Sequence, residues 1–411
     1  MKVLLINNCH WRRGGSEAVY FGTAELLLKA GHEVVFLSVS DKNNIHTGEK
    51  EYFVVPGSGY KKIIQYFTNS VAAATIEDII IKEAPDVAHA HLLWGGLTAS
   101  IIPVLHKYGI PFVHTAHDYR MVCPAYLFKD GKGHQCERCK GGHFLNCMRH
   151  RCSKGNLVES VLMTLEMYYR NSHYNPLQLI DGFVFVSNFS RNKHIEFDPG
   201  FQNVTSMVLY NCPDDKVTES LNINLDTYNN YFLFYGRLSA EKGVATLIRA
   251  FERLTHLQLL IVGTGPLEDE LKQYVDTHKM SNVQFAGYKF GKELYDIVAK
   301  AKYVCVSSEC YENNPMTIVE AYSLRTPVIG AAIGGITEVI KPGETGYTFK
   351  SGDADSLVEV ISKASTINKV QYEEQKTKAF EFSQQNFGRE IYLKRLISFY
   401  KDVMNKENKE Q

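Results

Sequence analysis

The fold is decided by residues 231–243, YFLFYGRLSAEKG, in which an apolar run ends at a glycine and enters a polar loop. The chain begins in the same way, because Val3–Ile6 leads into a loop that contains Gly14, Gly15 and Ser16. A helix is predicted after each loop. A buried strand followed by a glycine loop and a helix is typical of doubly wound parallel sheets. The sequence therefore predicts one such sheet in each half of the chain.

Other short apolar runs, rich in Val, Ile and Phe, recur between longer segments with helical periodicity. They are Val34–Val39, Val87–Ala90, Pro111–Thr115, Phe183–Val186, Leu257–Val262, Tyr303–Val306 and Pro327–Ile329. This alternation is typical of parallel sheets covered by helices. We expect an α/β protein with two Rossmann-like domains.

The length of the chain agrees with two domains, because 411 residues are more than one core usually serves. A polar stretch at residues 210–228 interrupts the pattern. We therefore predict an N-terminal domain over residues 1–212 and a second domain over 213–386. Residues 387–411 are predicted to form a helix that packs back toward the first domain. The apolar positions of this helix are Ile391, Tyr392, Leu396 and Tyr400.

The composition excludes several classes of protein. Lys plus Arg equals Asp plus Glu at 45 each, which argues against a nucleic-acid coat or a polybasic anchor over the whole surface. The apolar run at Val3–Ile6 is too short for a signal peptide, and no run of 18 apolar residues occurs. We expect a cytoplasmic protein.

A second stretch, from Glu312 to Glu320, reads ENNPMTIVE and suggests a binding site. Proline at the first helical position, here Pro315, leaves the amides of Met316 and Thr317 unpaired, and unpaired amides at a positive helix end bind phosphate. The side chain of Glu320 leans back toward this end, and Glu312 approaches it from the loop. A phosphate together with hydroxyls for two carboxylates describes a nucleotide-sugar.

Two other interpretations of this stretch remain open. It could be an ordinary capped helix with two surface carboxylates. It could also carry a glycosidase pair, but eight residues of continuous helix separate two side chains by about 12 Å of rise and roughly 80° of rotation. Glycosidase carboxyls lie about 5 to 9.5 Å apart, so binding is favoured over hydrolysis.

Five motifs together resemble the retaining glycosyltransferases of family 4. They are the Gly14-Gly15 loop, HTAHD at 114–118, YGRLSAEKG at 235–243, GTGPL at 263–267 and the 312–320 stretch. The resemblance covers nearly the whole chain in the order of the family. It implies the GT-B fold, in which two Rossmann-like domains face each other across a cleft. It also implies transfer of a hexose, with retained configuration, from a UDP- or GDP-sugar to a glycan or polyprenyl-linked acceptor.

The resemblance implies roles for individual residues. His117 is expected against the transferred sugar and Glu312 near the donor sugar, so these two are the candidate catalytic residues. Arg237 and Lys242 are expected to hold the diphosphate, which gains negative charge as the bond breaks. Glu320 is expected near the ribose. Without the resemblance, a lysine or an arginine on a loop is more often a solvated charge.

The other candidate donor-binding residues lie in loops. Gly14 and Gly15 resemble the loop that closes over the donor phosphates, and Tyr288 is expected to border the base. Gly263 and Gly265 are expected to allow close approach of the backbone to the nucleotide. The phosphate-side turn comprises Asn314, Pro315, Met316 and Thr317.

Cofactor chemistry is expected to be absent from the reaction. Gly263-Thr264-Gly265 is too short for a dinucleotide fingerprint, which disfavours an oxidoreductase that uses NAD. Family 4 enzymes generally need no divalent metal, and no Asp-x-Asp motif occurs where a metal would bridge phosphates. The expected course is front-face substitution, in which the leaving phosphate oxygen helps to deprotonate the incoming hydroxyl.

A cysteine-rich insertion follows the His117 strand, at residues 123–154. Cys136-x2-Cys139 and Cys147-x4-Cys152 have spacings suited to a structural zinc site. Small buried apolar thiols are the alternative, but the two-pair spacing favours metal. The insertion holds seven Lys or Arg against two acids. Such a basic flap could contact an acceptor at a membrane surface, and the apolar segment 157–169 could touch lipid or pack in the core.

Two rival functions use the same features differently. A zinc module that binds nucleic acid would make the cysteine segment the functional part, but the neutral net charge weighs against it, so no nucleic-acid partner is expected. A nucleotide-sugar epimerase could use the same scaffold, because a fold does not determine a reaction.

Overall fold

The computed structural model of the chain describes residues 1–219 and 230–410. These residues form two compact units. The first contains Met1–Tyr210 and the C-terminal segment from Tyr392 onward, and the second contains Asn211–Ile391. A polar stretch at 210–228 was expected to separate the domains. Its residues 220–228 lie outside the described part of the chain.

The first unit contains a sheet of seven parallel strands. The strands are β1 Lys2–Ile6, β2 Glu33–Val39, β3 Lys50–Val54, β4 Val87–Ala90, β5 Phe112–Ala116, β6 Gly182–Phe185 and β7 Ser206–Val208. Their spatial order is β3-β2-β1-β4-β5-β6-β7, with Val3 of β1 opposite Val34 of β2 and Val87 of β4. Helices cover both faces of the sheet, so Val3, Leu4, Leu5 and Ile6 are completely buried.

The helices of this unit are α1 Gly15–Lys29, α2 Tyr60–Phe67, α3 Ser70–Glu83, α4 Ile102–Lys107, α5 Leu145–Arg149, α6 Leu157–His173, α7 Pro176–Leu179 and α8 Asn188–Phe197. Within the described residues, none of the helices has both the length and the apolar character needed to cross a bilayer.

The second unit begins with α9 Asp215–Glu219 and contains six parallel strands. The strands are β8 Tyr231–Tyr235, β9 Gln258–Val262, β10 Val283–Phe285, β11 Tyr303–Val306, β12 Val328–Ala331 and β13 Gly346–Phe349, in the order β10-β9-β8-β11-β12-β13. The helices are α10 Val244–Glu252, α11 Glu268–Thr277, α12 Gly291–Lys300, α13 Met316–Ser323, α14 Ile336–Val339, α15 Ala354–Ser365, α16 Lys369–Asn386 and α17 Arg389–Glu410, the last of which continues into the first unit.

The predicted fold class, α/β with two Rossmann-like parallel sheets, is confirmed. Every predicted apolar run overlaps a strand, whereas the strands without such a run are β3, β7, β10 and β13. These four are the outermost strands of the two sheets. An edge strand is less enclosed than a central one and needs no continuous apolar run, which is why apolar runs do not reveal it.

The C-terminal helix α17 packs in the first unit through three of its four predicted apolar positions. Tyr392, Leu396 and Tyr400 are buried, whereas Ile391 is 38% exposed and does not share this burial. The hydroxyls of Tyr392 and Tyr400 lie 2.8 Å from Thr23 Oγ1 and 2.6 Å from His89 Nδ1, respectively. Hydrogen bonds and apolar contacts therefore hold the end of the chain against the first sheet.

Candidate functional site

The second unit places its candidate residues where its sheet reverses direction. The chain moves outward from β8 to β9 and β10 on one side, and from β11 to β12 and β13 on the other. Ligands of open α/β sheets bind at the carboxyl ends of the strands that flank such a point. The loops that follow β8 and β11 carry Lys242 and Glu312, respectively.

Lys242 and Glu312 form an ion pair, with Lys242 Nζ 2.6 Å from Glu312 Oε1. The hydroxyl of Ser308 donates to the same oxygen at 2.6 Å. Burial raises the pKa of Glu312, but the charge and hydrogen bond of Lys242 and the bond from Ser308 outweigh it, so the pKa is lowered overall. Glu312 is therefore ionised at neutral pH, and both side chains keep part of their surface exposed.

The backbone of Glu312 is held by a glycine loop after β12 that was not among the predicted site residues. The amide of Gly335 donates to the carbonyl of Glu312 at 2.7 Å. Gly334 has a φ of +62°, and a Cβ atom there would lie 2.4 Å from that carbonyl oxygen. Only glycine fits this contact, so the loop fixes where Glu312 stands.

The α13 end differs in one detail from the expectation. Pro315 is extended, with φ −67° and ψ 127°, and precedes the helix, which begins at Met316. Pro315 therefore occupies the N-cap position and not the first helical position. Within the described residues no side chain caps this end, so the amides of Met316 and Thr317 begin the helix without a side-chain acceptor.

Asn314 has a structural role in the same turn. Its Oδ1 accepts from the amide of Asn211 at 2.8 Å, and its carbonyl accepts from Asn211 Nδ2 at 2.9 Å. Both residues are buried. These two bonds tie the start of the second unit to the turn before α13, and they account for why the unit begins at Asn211, two residues before the predicted boundary.

Glu320 lies one turn into α13, beside Tyr235, which begins the 235–243 motif but was not among the predicted site residues. The hydroxyl of Tyr235 lies 3.0 Å from Glu320 Oε2 and 2.9 Å from the carbonyl oxygen of Thr317. Burial, with a smaller contribution from Asp214, raises the pKa of Glu320 to about 7, although the bond from Tyr235 acts in the opposite direction. Glu320 therefore changes charge near neutral pH.

The glycines after β9 pack against the loop that follows β8. A Cβ atom on Gly263, where φ is +131°, would lie 1.9 Å from the carbonyl oxygen of Gly236. A Cβ on Gly265 would lie 2.4 Å from the carbonyl oxygen of Leu238. Close approach of two loops thus explains why both positions are glycine. Contact of these glycines with a nucleotide stays a prediction.

Two further donor-side candidates are exposed. The side chain of Arg237 makes no hydrogen bond or ion pair with the described residues, in contrast to that of Lys242. Tyr288 is 66% exposed and stacks on Phe290, with ring centroids 6.0 Å apart. The amide of Gly263 donates to the carbonyl of Gly287, which brings the Tyr288 loop beside the glycine loop. Phe290 is an aromatic that the sequence did not indicate.

In the first unit, His117 follows β5 and contacts a second histidine that follows β4. His117 Nε2 lies 2.8 Å from His91 Nδ1, and the rings stack at 19°. Burial lowers the pKa of His117 to about 4 and that of His91 well below its usual range. Both rings are therefore neutral at physiological pH, and His117 can act only as a neutral donor or acceptor. His114, as expected, lies within β5.

The glycine loop after β1 contains a carboxylate that the sequence did not indicate. Gly14 and Gly15 are exposed at the start of α1, whereas Glu17 in its first turn is buried. Burial raises the pKa of Glu17, while the amides of Glu17 and Gly14 and the hydroxyl of Ser16 act in the opposite direction. A phosphate at this loop would have to compete with Glu17 for these donors.

The cysteine insertion does not present a metal centre. Cys136, Cys139 and Cys147 are buried and Cys152 is half-buried. Across the described ranges, 1–219 and 230–410, no three His, Cys, Asp or Glu side chains are arranged so that they could hold a metal ion. Zinc coordination by these four cysteines stays a prediction that their arrangement does not support. Burial raises the pKa of the Cys139 thiol, and the neighbouring thiols of Cys123, Cys147 and Cys136 raise it further.

Comparison with known families gives two adjoining matches. The family model described as Glycosyltransferase Family 4 matches residues 13–215, and the model described as Glycosyl transferases group 1 matches residues 216–381. Their border lies within a few residues of the border between the two units.

Individual relatives are distant. A Klebsiella pneumoniae protein, described as an uncharacterized 42.6 kDa protein in the cps region, is 24% identical over 90% of this chain and 97% of its own length. The lipopolysaccharide 1,2-N-acetylglucosaminetransferase of Salmonella typhimurium is 28% identical over 42% of this chain and 48% of its own length.

Solved structures share the fold. A glycosyltransferase from Rickettsia africae superposes with a TM-score of 0.72 at 17% identity and covers 98% of both chains. Anabaena Alr3699/HepE, crystallised in complex with UDP, superposes with a TM-score of 0.70 at 16% identity and covers 98% of this chain and 100% of its own.

Proposed function

The chain belongs to the glycosyltransferases that the two matched models describe, and on this premise we propose that it transfers a hexose from a UDP- or GDP-sugar. The acceptor is a glycan or polyprenyl-linked glycan of a surface polysaccharide, and the anomeric configuration is retained. A relative that acts on lipopolysaccharide and a structural neighbour that binds UDP support this choice of acceptor and donor.

The observation that carries the proposal is the Lys242–Glu312 ion pair beside the uncapped end of α13. The pair brings a cation and an ionised carboxylate to the edge of the sheet where ligands bind. Phosphate groups suit Lys242 and the first amides of α13, and sugar hydroxyls suit the carboxylate of Glu312. A nucleoside diphosphate sugar offers both groups in one molecule.

The reaction follows from these roles. The acceptor hydroxyl forms a bond to the anomeric carbon on the face from which the diphosphate departs, and the bond to the diphosphate oxygen breaks. The departing oxygen takes the proton of the acceptor. Arg237 and Lys242 stabilise the growing negative charge without a divalent metal. Glu312 accepts hydrogen bonds from the sugar, and neutral His117 donates one.

Donor binding tests the proposal directly. Lys242→Ala removes a charge-assisted contact to phosphate, so we expect the affinity for the cognate donor among UDP- and GDP-sugars to fall by ~10- to 100-fold. Isothermal titration calorimetry measures this. Lys292→Ala is the matched control, because Lys292 forms a similar pair with Asp296, at 2.8 Å, on the exposed surface of α12.

Two outcomes would contradict the proposal. Equal affinity in Lys242→Ala and Lys292→Ala would remove Lys242 from the donor site. Conversion of the nucleotide-sugar into an isomer without any acceptor would assign the site to an epimerase.

The acceptor class also suggests where the enzyme works. A polyprenyl-linked glycan is anchored in a bilayer, so the proposed enzyme works in the cytoplasm at the inner face of the cytoplasmic membrane and contacts it peripherally.

A further inference from the structure

Helix α2 carries large apolar side chains that are exposed to solvent. None of its eight residues is buried. Tyr60 is 72% exposed, Ile63 and Ile64 are 53% and 54% exposed, and Val55 in the preceding loop is 68% exposed. Contiguous exposure of this kind is uncommon on monomeric proteins and marks an interaction surface.

The apolar surface continues from α2 onto α6. Phe67, at the end of α2, meets the ring of Tyr169 on α6 edge to face, with centroids 5.8 Å apart. On α6, exposed Val158 and Leu165 lie seven positions apart, which places them on one face of the helix. We call the exposed apolar residues of the two helices the α2–α6 stripe; they are Tyr60, Ile63, Ile64, Leu157, Val158, Leu165 and Tyr168.

Positive charge borders the stripe at both ends. Lys61 and Lys62 lie in the first turn of α2, and no Asp or Glu occurs between Glu51 and Glu77. Exposed Arg149, Arg151 and Lys154 precede α6. Glu159 is the one exposed acid of α6, and it accepts a hydrogen bond from the hydroxyl of Ser153. The border therefore carries five exposed cations against this carboxylate.

We propose that the α2–α6 stripe and its basic border bind the surface of an anionic lipid bilayer. The apolar side chains enter the boundary between headgroups and acyl chains, and the cations contact anionic headgroups. A second copy of the chain fits less well, because a symmetric contact would bring like charges together. The inference names the surface that would make the peripheral membrane contact proposed above. It rests on the proposed function only for its biological purpose.

Vesicle flotation with the full chain tests the inference. We expect the wild-type protein to float with vesicles of phosphatidylcholine and phosphatidylglycerol, but not with phosphatidylcholine alone. Replacing Lys61 and Lys62 by Ala is expected to weaken binding by about 30-fold at low salt, because each cation near an anionic surface contributes to affinity. The difference is expected to shrink as salt is raised.

The apolar component is tested separately. The double substitution Ile63→Glu and Ile64→Glu is expected to reduce the bound fraction at least ~10-fold, because carboxylates are repelled from the surface and apolar area is lost. The matched control is Ile81→Glu with Val370→Glu, whose wild-type side chains are 68% and 78% exposed on α3 and α16. We expect this control to float like the wild type.

Several outcomes would overturn the inference. One is a wild-type protein that stays in the soluble fraction with both kinds of vesicle. Another is a control variant that loses as much vesicle binding as the Ile63→Glu, Ile64→Glu variant. A wild-type dimer that dissociates in the Ile63→Glu, Ile64→Glu variant would assign the stripe to a second copy. Thermal stabilisation by UDP- or GDP-sugars, measured in parallel, separates the membrane inference from the proposed function. If these sugars do not stabilise the wild-type protein, only the proposed function is contradicted.

Discussion

The two units wind their sheets alike but present different chemistry at the carboxyl edges. In both sheets, the unit's first strand lies beside the strand at which the direction reverses, β1 beside β4 and β8 beside β11. The first edge carries stacked neutral histidines, His91 and His117. The second carries ionised Lys242 and Glu312.

The difference shows how neighbours decide whether a partly buried group is charged. Burial disfavours the charged form in both places. At the second edge each charge has an opposite partner, so both side chains stay ionised. At the first edge, burial lowers the pKa of His117, so its ring is neutral. The shared winding places loops at the carboxyl edge of each sheet, but the residues after each strand determine the chemistry found there.

The largest expected effect on turnover comes from a substitution at the ionised edge, which carries Lys242 and Glu312. Glu312→Gln keeps the size of the side chain but removes its charge, so Lys242 loses its partner and the sugar loses a strong acceptor. We expect kcat to fall by ~10³-fold with little change in folding. The assay is steady-state transfer with a verified donor, together with circular dichroism.

Glu293→Gln is the matched control for that substitution. Glu293 pairs with Lys289 at 2.5 Å on an exposed surface. We expect its turnover to equal that of the wild type. Near-normal turnover in Glu312→Gln would remove Glu312 from the reaction.

Substitutions at the neutral edge, which carries His91 and His117, are expected to reduce catalysis less. His117→Ala removes a neutral hydrogen-bond donor, and we expect kcat/KM to fall by ~10²-fold. His91→Phe keeps a ring beside His117 but removes the 2.8 Å bond that orients it, so a loss of ~10-fold is expected.

The pH profile separates these roles further. Because the pKa of His117 is about 4, its protonation should not alter kcat/KM between pH 5.5 and 6.5. A rise in that range that disappears in His117→Ala would show that the histidine titrates there and would contradict a neutral edge.

Glu320 sharpens the comparison, because it is half-buried at the charged edge and forms no ion pair with the part of the chain that the structure describes. Burial raises its pKa from 4.5 to about 7. A raised carboxyl pKa means that the folded state disfavours ionisation, so the free energy of unfolding falls as pH rises through this range. The full shift corresponds to about 3 kcal/mol. We expect Glu320→Gln to gain roughly 1 to 3 kcal/mol over the wild type between pH 4.5 and pH 8.

Urea unfolding at both pH values measures that gain. If the two proteins differ by the same free energy at pH 4.5 and pH 8, Glu320 does not titrate as described.

The smallest expected effect is that of removing divalent metal ions, for which we expect no change in turnover. In the proposed mechanism, side-chain cations supply the charge that a divalent metal could otherwise provide, so we expect chelation by EDTA to leave turnover unchanged. Loss of activity that returns with added Mg²⁺ or Mn²⁺ would contradict the proposed mechanism.

The site could be predicted only in part from the sequence. The motifs identified Lys242 and Glu312 as candidates, but their contact joins loops 70 residues apart and depends on the adjacency of β8 and β11. The same holds for His91 and His117, which follow adjacent strands β4 and β5. Asn314 also bonds to Asn211, 103 positions away in the chain, and no local pattern contains that contact. Its predicted place in the donor site stays a prediction.

Taken alone, the sequence determined the strand–loop–helix alternation, the two parallel sheets and the glycine loops, because apolar periodicity and glycine placement act over short stretches of chain. Only the tertiary structure decided which loops meet, which titratable groups are neutral and that α2 leaves its apolar face uncovered. These properties depend on burial and on neighbours distant in the chain. Local sequence patterns do not contain that information.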